Sequence, residues 1–154
     1  LPRRQIILEK FVAYGLMATG IVLLGFVGVY LGGVSTGIGV DTGKLIMGNL
    51  NLVPSTLLMI AFTVFAGTYF RTKGTATAVA ALFVISSYMI DVIGGVASGT
   101  VIAQLRVISF FSYLDNAHVM QAGPNGAYVA LLLGLTVVLV AASVWSFQRR
   151  DVGV

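Results

Sequence analysis

The chain has 154 residues, of which 58% are hydrophobic and 9% are charged, and its formal net charge is +4. Soluble globular domains carry about 25% charged residues, and a soluble fold of this size could not bury so much apolar surface. The composition therefore excludes a water-soluble domain. Because the chain has no cysteine, disulfides, thiolate metal sites and cysteine nucleophiles are excluded as well.

Four stretches have the length of about 20 mainly apolar residues that a helix needs to cross a hydrocarbon core of about 30 Å. In chain order they are residues 11–31, 52–70, 75–97 and 127–147. Membrane-spanning strands are about 9–11 residues long and alternate polar with apolar side chains, and these stretches do neither. The sequence predicts an all-α polytopic membrane protein, with a single transmembrane domain over residues 1–154 and four transmembrane helices.

The basic residues predict how the spans are oriented. Cytoplasmic connections of membrane proteins carry an excess of Lys and Arg. Seven of the nine basic residues precede the first span, join the second to the third or follow the fourth; these are Arg3, Arg4, Lys10, Arg71, Lys73, Arg149 and Arg150. Only Lys44 and Arg106 are left for the other side. We therefore predict that both chain ends are cytoplasmic.

The two outer connections differ from each other in composition. Residues 32–51 are rich in Gly, Ser, Thr and Asn, which predicts an irregular external loop. Residues 98–125 contain many apolar and aromatic side chains, which predicts short helices that lie in the outer interface or dip part-way into the membrane. The run Gly123-Pro124-Asn125-Gly126 is expected to interrupt the chain before the last span.

Sequence motifs for nucleotide binding are incomplete in the first outer loop. Gly37-Ile38-Gly39-Val40-Asp41-Thr42 has Thr42 where a dinucleotide fingerprint has its last glycine, and Gly43-Lys44 is followed by Leu45 instead of Ser or Thr. Both motifs also require a preceding strand. We interpret this stretch as a glycine-rich loop, and we expect no ATP site in this chain.

Catalytic and metal-binding patterns are equally weak. His118 is the only histidine, and Asp115 is its nearest acidic neighbour, so we expect an interfacial residue and not a metal ligand. The acidic residues are scattered over both predicted sides of the membrane, and no Ser-His-Asp or HExxH pattern occurs. We expect no enzymatic activity, no cofactor and no nucleic-acid partner.

Asp91 is the one charged residue inside a predicted span. Such residues are costly at membrane depth and usually face a bundle interior or a water-filled cavity. One interpretation is that Asp91 lines a substrate path. The other is that the third helix ends near Asp91, so that the carboxylate reaches interfacial water. Arg106 is its nearest plausible ion-pair partner.

Glycine spacing indicates close helix packing. Gly28 and Gly32 have GxxxG spacing, and so do Gly95 and Gly99. Small residues let helix backbones approach closely in lipid, where hydrophobicity does not hold helices together. These glycines are candidate packing positions, either within the chain or against a partner.

Three stretches resemble permeases of the type-2 ABC exporter family. The opening Leu1-Pro2-Arg3-Arg4-Gln5-Ile6-Ile7-Leu8-Glu9-Lys10 resembles the family segment P-(V)-S-R-x-x-(I/L)-(L)-x-(G)-K, with Arg3 and Glu9 in place of the usual serine and glycine. The closing Trp145-Ser146-Phe147-Gln148-Arg149-Arg150-Asp151-Val152 is similar to the terminal W-x-F-x-R-R-D-(I/L/V). Between them, Ile108-Ser109-Phe110-Phe111-Ser112-Tyr113-Leu114-Asp115 resembles the L-S-P-F-x-Y region before the last span, without its proline.

The resemblance covers the last four of the six spans of such a permease. It implies a chain that is a fragment or a trimmed form, lying in a prokaryotic inner membrane. It also implies two permease subunits, identical or different, paired around a central path, each with a soluble ATPase that hydrolyses ATP. Arg3, Arg4, Glu9 and Lys10 would then lie near the ATPase-facing surface. A simpler role for the basic residues among them is to set topology and contact anionic lipid headgroups.

A different class of function is left open by the sequence. The chain could be a small four-helix scaffold or accessory subunit of a membrane complex that has no ATPase. A membrane-embedded enzyme is a third hypothesis, and the lack of clustered polar residues within the spans argues against it.

Overall fold

The computed structural model describes residues 3–39, 41–97, 99 and 101–149, and these residues form helices and no strand. The long helices are α1 (Arg3–Ser35), α2 (Thr42–Tyr69), α3 (Lys73–Val96) and α6 (Gly126–Arg149). Between α3 and α6 lie the short helices α4 (Val101–Gln104) and α5 (Asn116–Ala122), with 3₁₀ turns at Leu105–Ile108 and Phe110–Tyr113 between them. The four long helices are long and apolar enough to cross a membrane, which confirms the prediction of an all-α polytopic membrane protein.

Helices α2 and α6 form the centre of the bundle. α1 packs against both of them, and α3 packs against α2. Most of the residues that α2 buries are small or short, among them Ser55, Ala61 and Ala66. α6 buries Thr136 and Ser143, whose hydroxyls donate to carbonyls one turn earlier at 2.8 and 2.7 Å. Small side chains with satisfied hydroxyls allow the close backbone approach that holds helices together in lipid.

The two ends of the bundle are distinguished by their connections. At one end, here called the turn end, residues 70–72 join α2 to α3. The first turns of α1 and the last turn of α6 lie at this same end, since Ile6, Ile7, Thr68 and Phe147 line one groove. The opposite end, here called the connector end, carries the α1–α2 loop (residues 36–41) and the α3–α6 connector (residues 97–125).

The predicted irregular loop over residues 32–51 is wrong over most of its length. α1 continues to Ser35 and α2 already begins at Thr42. The Asp41 carboxylate caps α2 by accepting from the backbone N–H of Lys44 at 3.2 Å. Farther along, the Asn51 side-chain amide donates to the carbonyl of Leu114. Capping and a contact with the connector stabilise two helical turns that a glycine- and asparagine-rich composition does not predict.

Glycine packing also differs from the prediction made from spacing. A Cβ added at Gly28 or Gly32 would meet no atom of another element within 4 Å. Gly99 lies beyond the end of α3, with a φ of +90°, so Gly95 and Gly99 do not share a helix face. Within the described residues these glycines therefore do not join two long helices, and contact of Gly28 and Gly32 with a partner stays a prediction.

Close approach occurs instead at two glycines outside the GxxxG pairs. A Cβ on Gly15 of α1 would lie 3.2 Å from Leu57 Cδ2 of α2. A Cβ on Gly48 of α2 would lie 2.7 Å from Met120 Cε of α5. The second contact fixes the connector against the early turns of α2.

Candidate functional site

The α3–α6 connector enters the helix bundle. Phe110 is only 4% exposed and forms a buried cluster with Leu58 of α2 and Leu132 of α6. Its ring stacks on Phe83 of α3 with centroids 5.4 Å apart, and Phe83 in turn stacks on Phe62 of α2 at 3.9 Å. The connector therefore contains short helices and dips among the long helices, which is one of the two alternatives that its apolar composition left open.

A pair of buried serines holds the connector at this depth. Ser109, which has no exposed surface, donates to the backbone carbonyl of Ser87 at 2.6 Å, and the two hydroxyl oxygens are 3.0 Å apart. The backbone N–H of Phe110 donates to Ser87 Oγ at 3.1 Å. Ser87 lies about 13 Å along α3 from Val96 at about 1.5 Å per residue, so these contacts lie well inside the bundle.

The two serines satisfy backbone N–H groups of the connector that lie deep in the bundle. Non-helical backbone within a bilayer is tolerated only where protein or enclosed water satisfies its polar groups. Between its two 3₁₀ turns the connector leaves the helical ladder, and there Ser87 Oγ and Ser109 Oγ accept from the N–H groups of Phe110 and Phe111. Ser112 Oγ donates to the carbonyls of Arg106 and Ser109 at 2.7 and 2.8 Å. Among the described residues no buried side-chain polar atom lacks a partner.

Asp91 and Arg106 form a second attachment, one turn farther along the same face of α3. Arg106 Nε and one terminal nitrogen donate to Asp91 Oδ1 at 3.1 and 3.0 Å. The side chains of Arg106 and Asp91 are 42% and 25% exposed. A Cβ on Gly95 would lie 4.0 Å from Arg106 Cζ, so this glycine leaves room for the guanidinium.

The helix does not end near Asp91, as one interpretation required. α3 continues to Val96, more than one turn beyond Asp91, and the charge is balanced by a residue of the connector. The expected partner Arg106 is thus correct. We call the group Ser87, Asp91, Arg106 and Ser109 the connector latch, because its two pairs join α3 to the connector.

Every contact of the connector latch is a hydrogen bond or an ion pair. His118 lies on α5, where its backbone N–H donates to Asp115 Oδ1 at 3.4 Å. Among the described residues no three His, Cys, Asp or Glu side chains are grouped so as to hold a metal ion.

The other predicted site residues lie at the turn end. Arg3 and Arg4 belong to the first turn of α1, and their side chains lie outside the described residues. Glu9 and Lys10 are exposed on α1, and neither forms an ion pair with another described residue. Glu9 and Lys10 therefore lie away from the connector latch, which is toward the other end of the bundle.

Two residues of the closing sequence motif, Trp145 and Arg149, contact each other. On the last turns of α6 the Arg149 guanidinium lies 3.9 Å from the centroid of the Trp145 ring, in a cation–π contact. Residues 150–152 of this motif lie outside the described residues.

Sequence reasoning missed Ser87 and Ser109 as a functional pair. A signal was present, because Ser87 and Asp91 are four residues apart and so share one face of α3. On the connector, Arg106 and Ser109 repeat the pairing of a charged residue with a serine at a spacing of three. Matching these two pairs requires knowledge of how the connector folds back.

Comparison with known proteins agrees with the motifs. A family model described as ABC-2 family transporter protein matches residues 1–152. No curated protein and no solved structure matches the chain. Since the family match covers nearly all of the chain, and four of its helices can cross a membrane, the chain belongs to the ABC-2 transporter family as a multi-pass permease component of an ABC transporter.

Proposed function

We propose that the chain forms part of the wall of a substrate path in an ATP-driven exporter. In this proposal two permease subunits pair around the path, and each binds a soluble ATPase that supplies the energy. The observation that carries the proposal is the family match over residues 1–152, together with four helices able to cross a membrane. ATP binding and hydrolysis by the partner would favour one of two arrangements of the permease over the other.

The proposed orientation places the turn end in the cytoplasm. At the connector end, Lys44 Nζ lies 3.7 Å from Asp41 and Arg106 is paired with Asp91, so both basic side chains have acidic partners. At the turn end, Arg71 and Lys73 form no ion pair with a described residue. The larger number of Lys and Arg residues at the turn end supports a cytoplasmic location for this end and for both chain ends.

Cysteine labelling tests this orientation, because the natural chain contains no cysteine. Gly39→Cys and Gly74→Cys form a matched pair, since both positions are exposed and an added Cβ would meet nothing within 4 Å. In intact cells a membrane-impermeant maleimide should label only Gly39→Cys, and Gly74→Cys should react after permeabilisation. The reverse pattern would overturn the orientation.

The ATPase partner is tested by purification of the full-length tagged protein from its membrane in mild detergent. Mass spectrometry should find a stoichiometric soluble subunit with an intact P-loop. Lys10→Gln, near the proposed ATPase-facing surface, should reduce its recovery, whereas Lys44→Gln at the connector end should not. Recovery of the chain with membrane partners but no ATPase would favour the four-helix scaffold.

We further propose that the connector latch closes the outer end of the path and that the Asp91 carboxylate lies beside it. Two observations support this role: the connector is inserted among α2, α3 and α6, and Asp91 is 25% exposed despite its ion pair. Asp91→Asn should then reduce transport without reducing membrane insertion.

The matched control is Asp41→Asn, which removes an exposed carboxylate that is also paired with a basic residue at the connector end. Transport-coupled ATP hydrolysis by the purified complex is the measurement. Equal ATP hydrolysis and equal abundance of wild type and Asp91→Asn would reduce Asp91 to a structural ion pair.

A further inference from the structure

A groove of about 730 Å³ lies between α2 and α3 at the turn end. Its walls are mostly apolar, with Ala80, Val84 and Ile85 on α3 and Gly67 on α2. An added Cβ at Gly67 would meet nothing within 4 Å, so the missing side chain leaves the groove open. The volume falls within the range of about 300–1,000 Å³ that is usual for ligand sites.

Two cations stand at the mouth of this groove. Arg71 lies in the α2–α3 turn and Lys73 begins α3, and both line the groove. Both are exposed, and neither forms an ion pair with a described residue. Among the residues that the structure describes, no acidic side chain lines the groove. The mouth therefore offers two positive charges that no described carboxylate neutralises.

The dimensions of the groove fit one leaflet of a bilayer. From Lys73 to Ile85 the groove follows α3 for about 18 Å, at about 1.5 Å per residue. Half of a hydrocarbon core of about 30 Å is about 15 Å. With the cations at the membrane surface, the apolar walls extend through the depth that an acyl chain occupies.

We propose that this groove binds one anionic phospholipid, with an acyl chain along α3 and the phosphate group between Arg71 and Lys73. Basic pockets between transmembrane helices are a known form of headgroup recognition, and each Lys or Arg near the surface strengthens binding of anionic lipid. The two charges select an anionic headgroup over a zwitterionic one, while the apolar walls hold the acyl chain of either. The proposal goes beyond transport and requires only that the four long helices cross a membrane.

Native mass spectrometry of the full-length protein with its copurifying subunits tests the site. Palmitoyl-oleoyl phosphatidylglycerol is titrated into delipidated protein and compared with the phosphatidylcholine that has the same acyl chains. Arg71→Gln and Lys73→Gln should each weaken phosphatidylglycerol binding about fivefold, and the double variant about 30-fold. The matched control is Arg149→Gln, which removes a cation at the same end of the bundle but outside the groove, and its binding should stay at the wild-type level.

A second variant tests the apolar part of the groove. Gly67→Leu should weaken binding of both lipids, because the new side chain fills the groove without changing charge. Each variant must elute as a single species in size-exclusion chromatography and retain its helical circular dichroism. The proposal would be overturned by unchanged phosphatidylglycerol affinity in the double variant, or by a wild type that does not prefer phosphatidylglycerol over phosphatidylcholine. It would also be overturned if the wild type retained no lipid because a polypeptide covers the groove.

Discussion

Polar side chains at the two ends of α3 differ in whether the chain itself provides their partners. Toward the connector end, Ser87 and Asp91 are bound by side chains of the connector, and Ser109 among them is fully buried. At the turn end, Arg71 and Lys73 are exposed and form no ion pair with a described residue. The same helix thus carries an internally satisfied polar cluster at one end and unpaired charge at the other.

The difference follows from what surrounds each end. The connector brings non-helical backbone to a depth where only protein can satisfy it, so the serines and the ion pair must come from the chain itself. The α2–α3 turn is short and lies at the surface, where water and lipid headgroups can solvate its cations. Polar contacts near the connector end should therefore determine stability, whereas charges at the turn end should affect lipid binding and topology.

The largest effect on stability is expected for Ser109→Val. The substitution leaves the Phe111 N–H without its acceptor and removes the Ser109 hydroxyl that contacts the Ser87 hydroxyl and carbonyl, in a site with no exposed surface. The free energy of unfolding in detergent should fall by roughly 2–4 kcal/mol. Ser35→Ala, which removes an exposed hydroxyl at the end of α1, is the control and should change little. A loss of equal size in both variants would show that the buried serine contributes no more to stability than an exposed one.

Gly48→Leu should be the next most damaging change. Its side chain would collide with Met120, whose Cε lies 2.7 Å from the position of an added Cβ. We expect a cost of about 1–3 kcal/mol from overpacking. Because the contact is with the end of a flexible side chain, Met120→Ala in the same chain should recover much of this loss. Gly67→Ala, where nothing lies within 4 Å, is the control; no recovery in the double variant would contradict the contact.

The Asp91–Arg106 pair should contribute less, since both side chains are partly exposed. A double-mutant cycle with Asp91→Asn and Arg106→Gln should give a coupling of about 0.5–1 kcal/mol after solvent screening is allowed for. The coupling should decrease as salt concentration rises. A coupling of zero would leave the serine pair as the polar contact that holds the connector on α3, beside the stacking of Phe110 on Phe83.

The smallest effect is expected at the turn end. Arg71→Gln and Lys73→Gln together should change the free energy of unfolding by no more than about 0.5 kcal/mol, because neither side chain supports a packed contact. The measurement is denaturant unfolding in neutral detergent, where no anionic headgroup is present. A large loss would mean that these cations stabilise the fold, and the contrast between the two ends of α3 would fail.

The sequence predicted the four spans because a helix in a bilayer is specified by length and apolar content, which are both local properties. It also gave Arg106 as the nearest plausible partner of Asp91, since few charges were available, but only the structure established the contact. It placed the start of α2 ten residues too late, at 52 instead of Thr42. Composition alone counted Gly48 and Asn51 as loop residues, whereas they contact Met120 and Leu114 of the connector.

Residues that act across the fold were out of reach of sequence patterns. Ser87 and Ser109 are 22 positions apart, and their pairing depends on how far the connector folds back into the bundle. GxxxG spacing singled out Gly28 and Gly32, whereas among the described residues Gly15 and Gly48 approach another helix closely. Spacing shows which residues share a helix face, but not which face meets another helix.

By itself, the sequence determined that this protein is all-α and crosses a membrane in four long helices, because lipid penalises charge and unsatisfied backbone wherever they occur along the chain. Only the tertiary structure decided that the connector inserts among α2, α3 and α6, that Asp91 is neutralised by Arg106, and that Arg71 and Lys73 flank an open groove. These features depend on contacts between segments distant in sequence, and those contacts form only once the helices have packed.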